Sequence, residues 1–268
     1  MRNAPLEKPD KSQTQFRDYQ AENIRESVKR LYFLNHTQQT VDFVRTQQKL
    51  YNSLQREKRG VWETLEKLNT LVDDSDPDTS LSQTDHALQS AEAARRDGRP
   101  DWFILTALIH DIGKALCFYD EPQWAVVGDT FPVGCHFSNK IVYPEFFKDN
   151  PDSKNLLYQT KLGIYRENIG LDNVLLSWGH DEYGYQVVKD YLPAEASFII
   201  RYHSFYPCHR DDEYLYLLNE QDKKMMEWVK AFNQYDLYSK ADASPDTEKL
   251  KIYYQQLIRK YFPAKIRW

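Results

Sequence analysis

Apolar residues recur at helical spacing along most of the chain, and stretches that alternate apolar with polar positions are nearly absent. Ile24, Val28, Leu31 and Tyr32, then Val41, Val44 and Tyr51, predict helix between Tyr19 and Leu54 with a break near Asn35. Val61, Leu65, Leu68 and Val72 repeat the pattern, and the acidic turn cluster DDSDPDTS from Asp73 to Ser80 ends it. Residues 83–97 and 101–117 read as an antiparallel helix pair joined by Gly98-Arg99-Pro100, with Asp101 as N-cap. Between Glu121 and Pro151, Gly, Pro and aromatic residues around GDTFPVG predict a long ordered loop with a short helix near Glu145. Helical spacing resumes over roughly 172–191, 193–204, 219–240 and 246–261. Residues 1–15 carry charge and two prolines without periodicity, which predicts a flexible N-terminal arm. The expectation is an all-α fold, one helical domain over 16–268 with eight to ten helices.

Composition narrows the function. The chain has 268 residues, 35 Lys and Arg against 40 Asp and Glu, and a net charge of −5, so no general attraction to nucleic acid is expected. The N-terminus lacks an apolar leader and no uninterrupted apolar stretch approaches bilayer length, so no membrane partner is expected. Three widely spaced cysteines form neither a disulfide framework nor a zinc ribbon, which points to a reducing, cytoplasmic setting. No Gly-rich phosphate loop occurs, so no nucleotide cofactor is expected.

Seven histidines remain to be explained. Two precede aspartate, as His110-Asp111 and His180-Asp181, which alone is only mildly unusual. The first lies in DWFILTALIHDIGKAL, where an apolar helix takes up a His, an Asp and a Lys in its last turns. Buried ionisable groups need partners or a metal, and His110, Asp111 and Lys114 are spaced to face one site; a solvent-facing helix end is the alternative. His86 lies 24 residues before His110 on the other arm of the same hairpin, a workable distance for two imidazoles to meet.

His86, His110-Asp111 and the distant Asp236 resemble the metal-binding pattern of the HD-domain superfamily. The segments TVDFV, LVDDSDPD, DWF with HDIGK, EPQWAVVGDTFPVGC, GLDNVLLSWGHDEY, RYHSFYPCH and FNQYDLYSK resemble the myo-inositol oxygenase family, and the likeness runs from about Phe16 to Trp268. That resemblance implies an HD-domain-like fold around a di-metal site with ligands His86, His110, Asp111, His180, His203 and Asp236. Four imidazoles and two carboxylates suit a first-row transition metal, and a carboxylate such as Asp111 has two oxygens with which to bridge. The resemblance also implies two iron ions, mixed-valent Fe(II)/Fe(III) in the active form, and a cyclitol held by Arg17, Tyr32, Asp73, Lys114, Gly128, Asp129 and Ser204.

The implied reaction is cleavage of the C1–C6 bond of myo-inositol by O2 to D-glucuronate, the first step of inositol catabolism. Lys114 and Asp111 would be its catalytic residues, acting in a monomer. Arg17 and Tyr32 would belong to a strap over the pocket. His36, His136 and His209 fall outside the ligand pattern and default to surface or supporting roles, Asp181 to orienting a liganded histidine. Met225, Met226, Trp228 and Phe232 read as core. Two rivals are an HD-type phosphohydrolase and a catalytically inert helical module. The first needs a phosphate-binding Arg cluster that the sequence does not display, and the second leaves the ligand set unexplained.

Overall fold

The computed structural model describes Tyr19 and residues 24–75, 82–238 and 246–268; Arg17, the arm over 1–15 and part of the acidic turn cluster lie outside the described residues. Among these residues the chain forms ten α-helices. The first two are α1 (Glu26–Gln38) and α2 (Val41–Tyr51), and their break falls at Gln39-Thr40 rather than near Asn35. Thr40 caps α2 by accepting the Phe43 N–H at 3.1 Å, while Asn35 stays helical and donates to Trp124 O at 2.8 Å. Helix α3 (Val61–Leu68) follows.

The hairpin of α4 (Gln83–Arg96) and α5 (Asp101–Ile109) is the centre of the molecule. Ser82 caps α4, and the small residues Ala87, Ser90, Ala91 and Ala94 along its buried face let α5 approach. Residues Phe103–Ile109 are buried on every side, as an all-apolar helix requires. Asp101 is not the N-cap: Pro100 holds that position in extended geometry, and Asp101 in the first turn pairs with Lys260.

The predicted helix 101–117 changes character in the middle. The α-helix stops at Ile109, and Ile112–Tyr119 winds as a tighter 3-10 helix. Gly113 explains the close approach there, because a Cβ on it would lie 1.9 Å from the carbonyl oxygen of His180. The stretch Asp101–Tyr119 is long and apolar enough to cross a bilayer, yet most of it is buried in the protein, as in the core of a folded domain.

Helix α6 (His180–Val188) begins eight residues later than the spacing predicts. The preceding VLLSW run is extended instead, with Val133 N–H donating to Leu175 O at 2.9 Å and Ser177 N–H to Phe131 O at 2.7 Å. Residues 121–178 are mostly turns and irregular chain punctuated by short 3-10 turns, including Pro144–Asp149 at the place predicted for a short helix. Asn150 ties this region to α1 by donating to His36 O and Gln39 O.

Helices α7 (Ala194–Tyr202), α8 (Tyr206–His209), α9 (Glu220–Tyr238) and α10 (Thr247–Tyr261) complete the layer around the hairpin. Met225, Met226 and Phe232 are buried, and Trp228 packs edge-on against Trp102. A two-stranded antiparallel pair, β1 (Lys58–Arg59) with β2 (Ile266–Arg267), is too short for any alternation to announce it. Trp268 is buried beside it and donates its indole N–H to Arg59 O. Cys117, Cys135 and Cys208 are unlinked thiols.

Candidate metal centre and substrate pocket

Helix ends deliver the histidines to one point. His86 lies in the first turns of α4, His110 follows α5, His180 opens α6, His203 follows α7, and Asp236 is near the end of α9. The Nδ1–H of His110 donates to Ala107 O at 2.9 Å, that of His203 to Ile200 O at 2.9 Å, and that of His180 to Val126 O at 2.7 Å. A carbonyl only accepts, so Nδ1 carries the proton and each neutral ring presents an Nε2 lone pair inward.

Those lone pairs meet other acceptors. His180 Nε2 lies 3.3 Å from His203 Nε2 and 3.3 Å from Asp111 Oδ1, and His203 Nε2 lies 3.6 Å from the same oxygen. On the other side, His110 Nε2 is 3.3 Å from Asp111 Oδ2 and 3.5 Å from Asp236 Oδ1, and His86 Nε2 is 3.0 Å from Asp236 Oδ1. Such a cluster of lone pairs and carboxylates is stable only around positive charge, a bound cation or protons on the rings. Burial alone would keep His110 and His180 neutral, but Asp111 beside the first and Asp181 and Asp111 beside the second push both up to about 10. Against the cost of burial, Lys114 and the neighbouring imidazoles hold Asp111 well below the carboxylate range, and His110 and His86 do the same for Asp236.

Two groups able to hold a metal ion result, His86 with His110 and Asp111, and Asp111 with His180 and His203, each with donor atoms within 4.8 Å of one another. Asp111 belongs to both and turns one oxygen to each. All six residues assigned from the sequence converge here, and the donor set of imidazole and carboxylate without thiolate fits a pair of first-row transition ions. Phe232 packs against the rings of His110 and His203 and closes the floor.

The residues that the resemblance assigns to the cyclitol lie next to it. Tyr32, Asp73, Lys114, Gly128, Asp129 and Ser204 all line the same pocket as the six candidate ligands. Lys114 Nζ donates to Asp73 Oδ2 at 2.7 Å, Asp111 Oδ2 at 2.8 Å and Gln83 Oε1 at 2.9 Å. Although burial works against the charge, the two carboxylates raise the Lys114 pKa far above its ordinary value, so it is a permanent cation. Asp73 Oδ1 accepts both the N–H and the hydroxyl of Ser75. Tyr32, on α1, donates to Asp129 Oδ1 at 3.1 Å, and Tyr19 bonds to the Tyr32 hydroxyl at 3.0 Å.

Sequence reasoning missed four residues of this lining, Tyr19, Ser75, Gln83 and Tyr206. Gln83 stands one helical turn before His86, a spacing that could have flagged it. Tyr206 donates to Asp236 Oδ2 at 3.1 Å, and nothing in its local sequence signals that. One supporting assignment changes, that of His36. Asp181 Oδ1 lies 2.9 Å from His180 Nε2 and 3.5 Å from His203 Nδ1, while backbone carbonyls accept the Nδ1–H of both rings; the carboxylate also accepts the N–H and hydroxyl of Ser204 and the hydroxyl of Thr130, joining two segments of the pocket. His36 is a core residue, stacked on Phe147 at 4.1 Å with its Nε2–H on Val142 O. His209 donates to His203 O, whereas His136 is exposed.

A family model described as Myo-inositol oxygenase matches residues 25–268. The chain is 52% identical over 261 residues to a probable inositol oxygenase of Oryza sativa subsp. japonica, covering 94% of this chain and 85% of that protein. It is 50% identical over 264 residues to an inositol oxygenase of Dictyostelium discoideum, covering 95% and 90%, and 47% identical over 264 residues to one of Pongo abelii, covering 96% and 92%.

Proposed function

Because the chain belongs to the myo-inositol oxygenase family, we propose that it cleaves the C1–C6 bond of myo-inositol with O2, giving D-glucuronate and water. The observation that carries the reading is the pair of His/Asp groups sharing Asp111, with a buried cation, Lys114, bonded to the shared carboxylate. The reaction balances without a reductant: C6H12O6 and O2 become C6H10O7 and H2O, and the substrate supplies all four electrons. Two iron ions held by His86, His110, Asp111, His180, His203 and Asp236 would supply the Lewis acidity and one-electron chemistry that O2 requires.

The remaining residues act on the cyclitol. Lys114 keeps its proton and serves as a fixed positive charge that favours loss of a proton from a nearby hydroxyl; it is not the base. Asp73, Asp129 and Ser204 come from three separate segments, as the reading of a ring bearing hydroxyls on all sides demands. Tyr32 and Tyr19 lie over the pocket, buried, and help exclude water from it. A phosphohydrolase reading fares worse: among the described residues no arginine lines the pocket, which leaves a phosphate one lysine and no guanidinium fork to bind it.

Oxygen uptake tests the proposal. Iron-loaded protein given myo-inositol should consume one O2 per D-glucuronate with no added reductant, and should form no product anaerobically. Hydrolysis of phosphate esters without O2, with myo-inositol left untouched in air, would overturn it.

A further inference from the structure

The Lys114 ammonium has three N–H donors, and all three are engaged, by Asp73, Asp111 and Gln83. An ammonium has no fourth donor. A substrate oxygen therefore reaches Lys114 only by taking the place of one of these acceptors. The three are not equivalent. Asp73 and Asp111 offer carboxylate oxygens in charge-assisted bonds, which are roughly twice as strong as neutral ones. Asp73 is further clamped by Ser75, and Asp111 by the imidazoles on both its oxygens. Gln83 offers a neutral amide oxygen on a flexible stem, at 2.9 Å against 2.7 and 2.8 Å for the carboxylates. Gln83 also lines the pocket, as the first residue of α4.

We propose that Gln83 is the exchangeable acceptor of Lys114, a positioning residue that holds the ammonium in register before substrate arrives and yields one N–H to a cyclitol oxygen when it binds. The proposal rests on the oxygenase reading of the pocket. Gln83 then sets how easily substrate gains access to the cation, and its neutrality matters more than its bulk. A glutamate at this position would surround Lys114 with three carboxylates, so the incoming oxygen would have to displace a charged acceptor. A methionine would fill similar space and remove the competitor.

Anaerobic calorimetric titration of iron-loaded protein with myo-inositol separates the cases, because no turnover intervenes. Gln83→Glu should weaken binding about tenfold or more, while Gln83→Met should bind as tightly as the parent or up to about tenfold tighter. Iron content should stay at the parent value in both. A role in packing alone would weaken both variants alike, and that result would overturn the proposal. The anaerobic complex of the unaltered protein gives a second test that needs no variant: Gln83 Oε1 should lie beyond hydrogen-bonding distance of Lys114 Nζ, and an intact bond there would also overturn it. If the unaltered protein binds no myo-inositol, the oxygenase reading itself fails and takes this proposal with it. Binding by the parent with the wrong order of variants rejects the role of Gln83 alone.

Discussion

The two walls of the pocket are built on different principles. On the metal wall, the six side chains come from helices or the residues that directly follow them, and three of the imidazoles are fixed by carbonyls, two of these from their own last turn. On the substrate wall, Asp73, Ser75, Gly128 and Asp129 lie in irregular segments held by side-chain bonds to backbone, such as Gln123 donating to Val72 O and accepting from Asp74 N–H. Ligand atoms around a metal must be placed to within about 0.5 Å, and helices provide that rigidity. The hydroxyls of a cyclitol point in many directions, and reading them takes donors and acceptors that converge from several segments. The turn Asp111–Lys114 joins the walls, with Asp111 facing the imidazoles and Lys114 facing the pocket.

Breaking that joint should have the largest effect. Asp111→Ala removes an oxygen from each ligand group at once, so metal affinity should fall on the order of a hundredfold or more and turnover should all but vanish. Helical circular dichroism should persist, since the helices do not depend on this side chain. Two tightly bound irons in the variant would show that Asp111 does not bridge.

Next in size is a test of how the metal wall is held. Gly113→Ala would place a Cβ 1.9 Å from His180 O, so α6 must move. The expected loss is about 3 kcal/mol or more in urea unfolding, with lowered iron content. Gly98, at the other end of α5, has φ +71°, and a Cβ there would meet no atom within 4 Å. Gly98→Ala should therefore cost only about 1–2 kcal/mol, the strain of a left-handed backbone, and leave iron binding alone. Similar losses at the two glycines would mean that the approach of the 3-10 turn to α6 does not set the metal wall.

How much of this was legible in the sequence follows from the same contrast. His110, Asp111 and Lys114 stood out because an otherwise apolar helix cannot bury them without a reason. His203 and Asp236 carry no such local signal, and only the resemblance joined them to the set. Periodicity ran one helix through 101–117 because it cannot register the backbone contact at Gly113, and it began α6 too early because an apolar run such as VLLSW satisfies helix and extended strand alike. Gln83 went unnoticed because its meaning lies in Lys114, on another element.

The substrate wall has its own structural dependence, on His36. Burial lowers its pKa from 6.5 to about 4, despite the bond to Val142 O and the charge of Asp129. The folded ring stays neutral while the unfolded ring takes up a proton below about 6.5, so stability is complete above that pH and is lost as pH falls toward 4. The His36 contribution to this loss should reach about 2 kcal/mol by pH 5. Urea unfolding at pH 7 and pH 5 should show it, and His36→Phe, which keeps a ring against Phe147, should flatten the slope. An unchanged slope would assign the acid sensitivity elsewhere.

The smallest expected effect isolates the roof of the pocket from its metal floor. Tyr32 is buried on α1, and its hydroxyl joins Tyr19 to Asp129, with Tyr143 donating to Tyr19 O behind them. Tyr32→Phe keeps the ring contacts with Tyr19 and Tyr143 and deletes only the hydroxyl. Asp129 loses a donor that fixes its carboxylate, so myo-inositol binding should weaken by about 1 kcal/mol, roughly fivefold, with iron content unchanged. Equilibrium binding under nitrogen beside a metal assay checks both parts. Loss of iron in this variant would show that the walls are coupled through more than the Asp111–Lys114 turn, whereas weaker cyclitol binding alone would confine the role of Tyr32 to the substrate side.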